Sequence, residues 1–117
     1  MDSWIHSDRL IEFFGHSPVR DDELWREEYE ISDSQLKCQF AIEQPDRFAE
    51  IKLFHLHQSE HFLHMLLPSY ARIEINEDKL VIIPPENGYD IQSTGAVIIC
   101  PVELIVAPSI RLIFARR

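Results

Sequence analysis

The chain has 117 residues, which fits a single domain over 1–117, and 45% of them are hydrophobic, enough for a core without disulfide or metal. The formal net charge of −9 disfavours nucleic acid and anionic membranes as partners and favours a basic protein, although it also suits solubility alone. Two distant cysteines form no disulfide or zinc pattern, and no signal peptide or membrane span is recognised, so we expect a cytoplasmic protein.

The first predicted element is a short helix near the start of the chain. Ser7 is a suitable N-cap, and apolar residues between Leu10 and Phe14 form a stripe along one side. Gly15 can end the helix in the left-handed conformation. The sequence therefore predicts one amphipathic helix with its stripe on the core.

Two alternating segments follow the helix and predict an antiparallel hairpin. Trp25 and Tyr29 share one parity, which predicts a strand with both aromatic side chains in the core. Asp33 and Ser34 supply a turn, and residues 36–42 alternate strictly between apolar and polar positions. This second segment is the clearest half-buried strand in the chain.

The remainder predicts short strands separated by turns, with Pro101 and Pro108 at strand ends or edges. Residues 59–67 lose any period and fit a bulge, a short helix or a loop. Further strands are predicted at 50–58, 70–75, 79–83, 96–100, 103–106 and 110–114. We predict an α+β fold, a mostly antiparallel sheet of about seven strands with the helix packed on one face, and an all-β barrel or sandwich is the alternative.

A histidine cluster suggests one catalytic alternative. His55 and His57 would point to the same face of a strand, as two metal ligands do, and Glu60, His61 and His64 follow closely. The pattern is similar to the His-x-His motif of the cupins and would imply a small metal-dependent β-barrel enzyme. The cupin glycines are missing, and no histidine follows His64, so surface histidines explain the pattern more simply.

Other catalytic patterns are absent from the sequence. It contains no Gly-x-Ser-x-Gly elbow and no phosphate-binding glycine loop, and its paired carboxylates lie in charge runs typical of a solvated face. Cys38 alternates with core residues, which favours a buried thiol over a nucleophile. We therefore predict a protein that is not an enzyme and that needs no cofactor or bound metal.

An acidic stretch around the first hairpin is the best candidate for a binding surface. Carboxylates on an exposed sheet face can receive the Lys and Arg side chains of a partner. We call these residues the acidic region and predict that they contact a partner: Asp21, Asp22, Glu23, Glu28, Glu30 and Asp33.

The first forty residues resemble the opening of the Imm50-type family of bacterial toxin-immunity proteins. The likeness lies in Trp4 and Ile5, the helical segment Leu10–Gly15, then Pro18, and an acidic segment at 22–24 that leads into alternating strands. It covers about a third of the chain, and the strand-rich remainder is similar more loosely.

This resemblance implies a function as well as a fold. A member of such a family is the cognate inhibitor of a secreted or contact-delivered toxin, often a nuclease, which it binds in the cytoplasm without performing any chemistry. An acidic inhibitor suits a basic, nucleic-acid-cutting toxin, because its carboxylates can stand in for phosphates. An interaction module of another kind remains a third interpretation.

Overall fold

The fold is seen in a computed structural model that describes most of the chain. The described residues are 7–21, 23, 25–44, 46–86, 89–91, 96–98 and 100–114. Over these residues the chain forms one helix and eleven strands, and every strand pairing is antiparallel.

The helix α1 (Ser7–Phe14) packs on the core through its apolar stripe. Phe14 is buried, and its ring stacks on Tyr29 with centroids 4.9 Å apart. Gly15 has a φ of 82° and donates its N–H to Ile11 O at 2.7 Å, which confirms the predicted left-handed end of the helix. Arg9 Nη2 donates to Ile75 O at 2.8 Å and ties the helix to a second sheet.

The larger sheet follows the chain strand by strand, in the order β1-β2-β3-β4-β5. Each of its strands pairs with the next along the chain, so it is built entirely from hairpin connections. Its strands are β1 (Val19–Asp21), β2 (Arg26–Ser32), β3 (Leu36–Glu43), β4 (Phe48–His55) and β5 (Leu63–Leu67).

A second sheet of four strands has the order β11-β10-β7-β6, and two further strands pair with each other. Its strands are β6 (Arg72–Asn76), β7 (Lys79–Ile83), β10 (Val102–Ile105) and β11 (Arg111–Phe114). The separate pair consists of β8 (Tyr89–Ile91) and β9 (Ala96–Ile98). Pro101 directly precedes β10 and Pro108 lies between β10 and β11, which places both prolines outside the strand ladders, as predicted.

One core cluster joins the helix to both large sheets. The larger sheet contributes the side of β3 that carries Cys38, Phe40 and Ile42, all fully buried. The second sheet contributes Leu80 and Leu104, which are also fully buried. The opposite side of the larger sheet, which we call the outer face, therefore points away from this core.

The predicted fold class is confirmed, since one helix packs with mostly antiparallel sheet and no closed barrel forms among the described strands. Strand β5 occupies the stretch that showed no period, and β1 was not predicted. No helix in the described part of the chain is both long and apolar enough to cross a membrane. The predicted turn at 93–95 and the residues Trp4 and Ile5 lie outside the described residues.

Candidate protein-binding face

One row of outward side chains extends over all five strands of the outer face, and we call it the central row. Directly paired residues of an antiparallel sheet point to the same face, and neighbouring strands lie about 4.8 Å apart, so a row over five strands spans about 19 Å. In order across the strands, the central row consists of Val19, Glu28, Ala41, Glu50 and Leu66.

The central row has a symmetric composition. Val19 and Leu66 stand at its two ends and are exposed to 72% and 38%. Ala41 lies in the middle, between two glutamates, and is only 4% exposed. The face thus presents apolar groups at both ends, acidic groups inside them and a small side chain at the centre.

A groove of about 300 Å³ opens over the middle of this face. Its walls come from the outward side chains of β2, β3 and β4 and from the segment that leads into β1. The small side chain of Ala41 lines it and leaves the space open. The charged residues of the groove are Arg26, Glu28, Glu30, Glu50 and Lys52.

Arg26 holds three carboxylates together at one end of the groove. Its Nε donates to Glu28 at 2.7 Å, its Nη1 to Glu43 at 2.7 Å and its Nη2 to Glu50 at 2.5 Å. Burial alone would lower the pKa of Arg26, but the three carboxylates raise it further than burial lowers it. One positive and three negative charges leave this group of four, the Arg26 network, with a net charge of −2.

Glu50 connects the Arg26 network to His64 on β5. Burial would raise the pKa of Glu50, but hydrogen bonds from Arg26 and His64 outweigh burial and hold this pKa below its ordinary value. His64 Nε2 bonds to Glu50 Oε2, and a carboxylate can only accept, so Nε2 carries a proton. Glu50 is therefore a fixed negative charge at neutral pH.

The structure divides the predicted acidic region into separate places. Glu28 and Glu30 are exposed on the outer face, and Glu30 accepts a hydrogen bond from Gln39 Nε2 at 3.1 Å. Asp21 and Glu23 are exposed at the β1–β2 connection, where Asp21 Oδ1 accepts the Glu23 N–H at 3.0 Å. Asp22 lies outside the described residues.

Asp33 has an architectural role that the sequence did not reveal. Its carboxylate accepts the backbone N–H groups of Gln35 at 2.7 Å, Leu36 at 2.6 Å and Ile110 at 2.8 Å. These hydrogen bonds lower the pKa of Asp33, and the bond from Ile110 contributes most to that shift. Because its oxygens hold the β2–β3 turn to the segment before β11, we leave Asp33 out of the candidate contact set.

The prediction that Trp25 lies in the core is wrong. β2 begins at Arg26, and Trp25 has a φ of 52°, so it does not continue the parity of the strand and its side chain is 59% exposed. The first inward-facing side chain of β2 is therefore that of Glu27, which is 6% exposed. The Glu27 carboxylate accepts hydrogen bonds from Arg20 Nε at 2.9 Å and from the Tyr29 hydroxyl at 3.1 Å. These bonds offset the cost of burying the charge.

The histidines do not form the arrangement expected of two ligands on one strand. β4 ends at His55, and His57 lies in the following turn with a φ of 70°, so the two side chains do not share a strand face. His55 stacks on Phe62 with centroids 4.4 Å apart. His61 and His64 contact each other edge to face at 5.0 Å. Among the described residues, no group of three or more His, Cys, Asp or Glu side chains is arranged to hold a metal ion.

Cys38 is a core residue, as its alternation predicted. It is fully buried, and burial raises the pKa of its thiol to about 12. A thiol that remains protonated at neutral pH is a poor nucleophile. The geometry therefore offers Cys38 no catalytic role.

No protein-family model, no curated protein and no solved structure matches this chain. The functional interpretation consequently depends on the residues and geometry described above.

Proposed function

We propose that this protein is a stoichiometric inhibitor that binds and neutralises a basic bacterial toxin in the cytoplasm, as an immunity protein does. The observation that carries the proposal is the outer face, where exposed Glu28 and Glu30 border a groove next to the net-negative Arg26 network. The resemblance of the N-terminal third to toxin-immunity proteins supports the same interpretation.

Charge and shape both suit the binding of a basic protein. A net charge of −9 attracts a cationic partner over a Debye length of about 8 Å and speeds the encounter at physiological salt. The exposed apolar residues Val19, Trp25 and Leu66 lie near the acidic groups, and interfaces commonly combine apolar contacts with a polar surround. A nuclease toxin fits especially well, because a surface that binds phosphates also binds carboxylates.

The first test is whether a toxin reading frame adjoins this gene and whether the wild-type chain protects bacterial cells from the product of that reading frame. Co-expression of the wild-type chain should restore growth. The double charge reversal Glu28→Lys/Glu30→Lys should weaken toxin binding by at least about tenfold and reduce its dependence on salt, because two attractive pairs become repulsive. Growth measurements, followed by titrations of the purified proteins at two salt concentrations, check both expectations.

A matched control separates this local effect from net charge. Glu74→Lys/Glu86→Lys changes the total charge equally, but at exposed positions on the second sheet and the loop after it. We expect this control to protect cells like the wild type. Unchanged affinity and salt dependence for Glu28→Lys/Glu30→Lys would remove the outer face from the proposal, and failure of the wild type to protect would contradict inhibition itself.

A further inference from the structure

We propose that the central row binds one extended basic segment of the partner, with basic side chains over the two glutamates and apolar side chains on Val19 and Leu66. This inference rests on the proposed function, since it takes the partner to be a basic protein. To the proposed function it adds the face that binds, the orientation of the bound segment across the strands, and the side-chain chemistry that the face selects.

Charge complementarity selects cationic side chains at the centre of the row. Glu28 and Glu50 flank Ala41, and both share the single guanidinium of Arg26 with Glu43. The Arg26 network retains a net charge of −2, and Lys52, on the groove wall near Glu50, offsets one of these charges, so the centre of the row still attracts cations. The Glu28 side chain is 53% exposed and remains accessible to an incoming basic group. The Glu50 side chain is only 13% exposed and both its oxygens are already bonded, so it attracts such a group as a nearby fixed charge.

The spacing of the row matches that of an extended chain laid across the strands. Alternate side chains of an extended peptide share a face and repeat about every 6.7 Å, so positions 1, 3, 5 and 7 cover about 20 Å. Measured from Val19, the row places Glu28 at about 5 Å, Glu50 at about 14 Å and Leu66 at about 19 Å. Apolar groups at positions 1 and 7 and basic groups at 3 and 5 therefore meet complementary partners.

Ala41 is only 4% exposed and forms part of the floor of the groove, between the two glutamates that Arg26 bridges. Ala41 lines the groove between the two glutamates, and a larger side chain there would extend into the open volume. Substitution at this position alters the shape of the face without altering its charge. It therefore separates binding in the groove from diffuse electrostatic attraction.

The probe is an acetylated, amidated heptapeptide with the sequence Leu-Ser-Arg-Ser-Arg-Ser-Leu. Its control replaces both arginines by citrulline, which has almost the same shape but no charge. Titrations at low salt, followed by calorimetry and by backbone amide NMR shifts, measure binding to the full chain. We expect the arginine peptide to bind about tenfold tighter than its control, because two exposed ion pairs are lost. The shifts should concentrate on the outward residues of β2, β3 and β4.

Three variants test the geometry of the site. Ala41→Leu should fill the groove and lower the affinity for the arginine peptide by at least about fivefold. Val19→Ser/Leu66→Ser should lower this affinity by about threefold or more, because apolar contact is lost. Ile113→Ser, which removes an exposed aliphatic group from the second sheet, should bind like the wild type. Thermal unfolding confirms that each variant is folded, and the Val19/Leu66 pair provides the test if Ala41→Leu does not fold.

The inference is overturned if the citrulline peptide binds as tightly as the arginine peptide. It is also overturned if folded Ala41→Leu and Val19→Ser/Leu66→Ser bind the arginine peptide as tightly as the wild type does. These results are separable from the failure of the proposed function. Full protection of cells by those same variants would reject the central row and leave inhibition intact. Failure of the wild type to protect would reject inhibition, and the peptide titration would still decide whether the row selects basic segments.

Discussion

At the scale of single residues, Asp33 shows that an acidic residue on a turn can serve the fold instead of a partner. Its carboxylate receives three backbone N–H groups, one of them from Ile110, which is 77 positions away in the chain. The hydrogen bonds lower the pKa of Asp33, and Ile110 contributes most. Asp33 therefore couples the larger sheet to the second sheet through a charge-dependent contact.

We expect Asp33→Asn to lower the melting temperature at about pH 7 and to lose this effect in acid. The folded pKa lies below the unfolded value of about 3.9, so the contribution of the carboxylate is fully present above that value. It is lost as the pH falls through the folded pKa. Thermal unfolding of both proteins from about pH 7 down to about pH 2 measures the difference.

The exposed residue Asp46 provides the matched control, and Asp46→Asn should melt like the wild type at about pH 7. A gap between wild type and Asp33→Asn that stays constant into strong acid would show that the carboxylate charge has no part in the contact.

Residue burial was predicted correctly where the alternation of apolar and polar residues is unbroken, and the prediction failed at the start of a strand. Tyr29 and Cys38 were placed correctly because each lies inside a strand that keeps its parity. Trp25 was misplaced because β2 begins one residue later and the left-handed φ of Trp25 breaks the pattern. Glu27 is accommodated on the inward face by Tyr29 of the same strand and by Arg20, which comes beside it only when β1 pairs with β2.

At the scale of elements, the Arg26 network fastens β2 to β3 and β4 across the outer face. Arg26 lies on β2, Glu43 on β3 and Glu50 on β4, and the Arg26 side chain is only 16% exposed. Removal of a shielded cation leaves three carboxylates that repel one another. The network therefore contributes to stability and also fixes the positions of the groove glutamates.

We predict that Arg26→Gln lowers the free energy of unfolding by about 1–3 kcal/mol, because the carboxylates lose charge-assisted hydrogen bonds in a partly buried place. The matched control is Arg72→Gln, since Arg72 bonds to Glu74 at the same 2.7 Å but is 64% exposed. Exposed pairs contribute about 0–1 kcal/mol, so the control should change stability little. Urea denaturation of the three proteins measures the difference, and equal effects of the two substitutions would contradict it.

Whether a strand could be predicted depended on how clearly its apolar and polar residues alternate between the buried and the exposed face. β3 was evident because its apolar and polar residues alternate strictly. β5 was missed because Leu66 points outward, so that its apolar run hides the inward parity of Leu63, Met65 and Leu67. β1 was missed because all three of its residues are exposed on a sheet edge.

At the scale of the whole molecule, the sequence predicted the sign of the charge but not its arrangement. The excess of 20 acidic over 11 basic residues indicated a basic partner. The central row depends on the register of four hairpins, which composition and spacing do not specify. Glu50 and Leu66 were consequently absent from the predicted contact set, although the structure places them in one row with Glu28.

Titration of purified toxin activity with the purified chain tests the central claim most directly. If the protein inhibits by binding alone, activity should fall linearly to zero at one equivalent of inhibitor and return when the complex is dissociated in high salt. Complete loss of activity at far less than one equivalent, or activity unchanged at several equivalents, would contradict stoichiometric binding as the function of this fold.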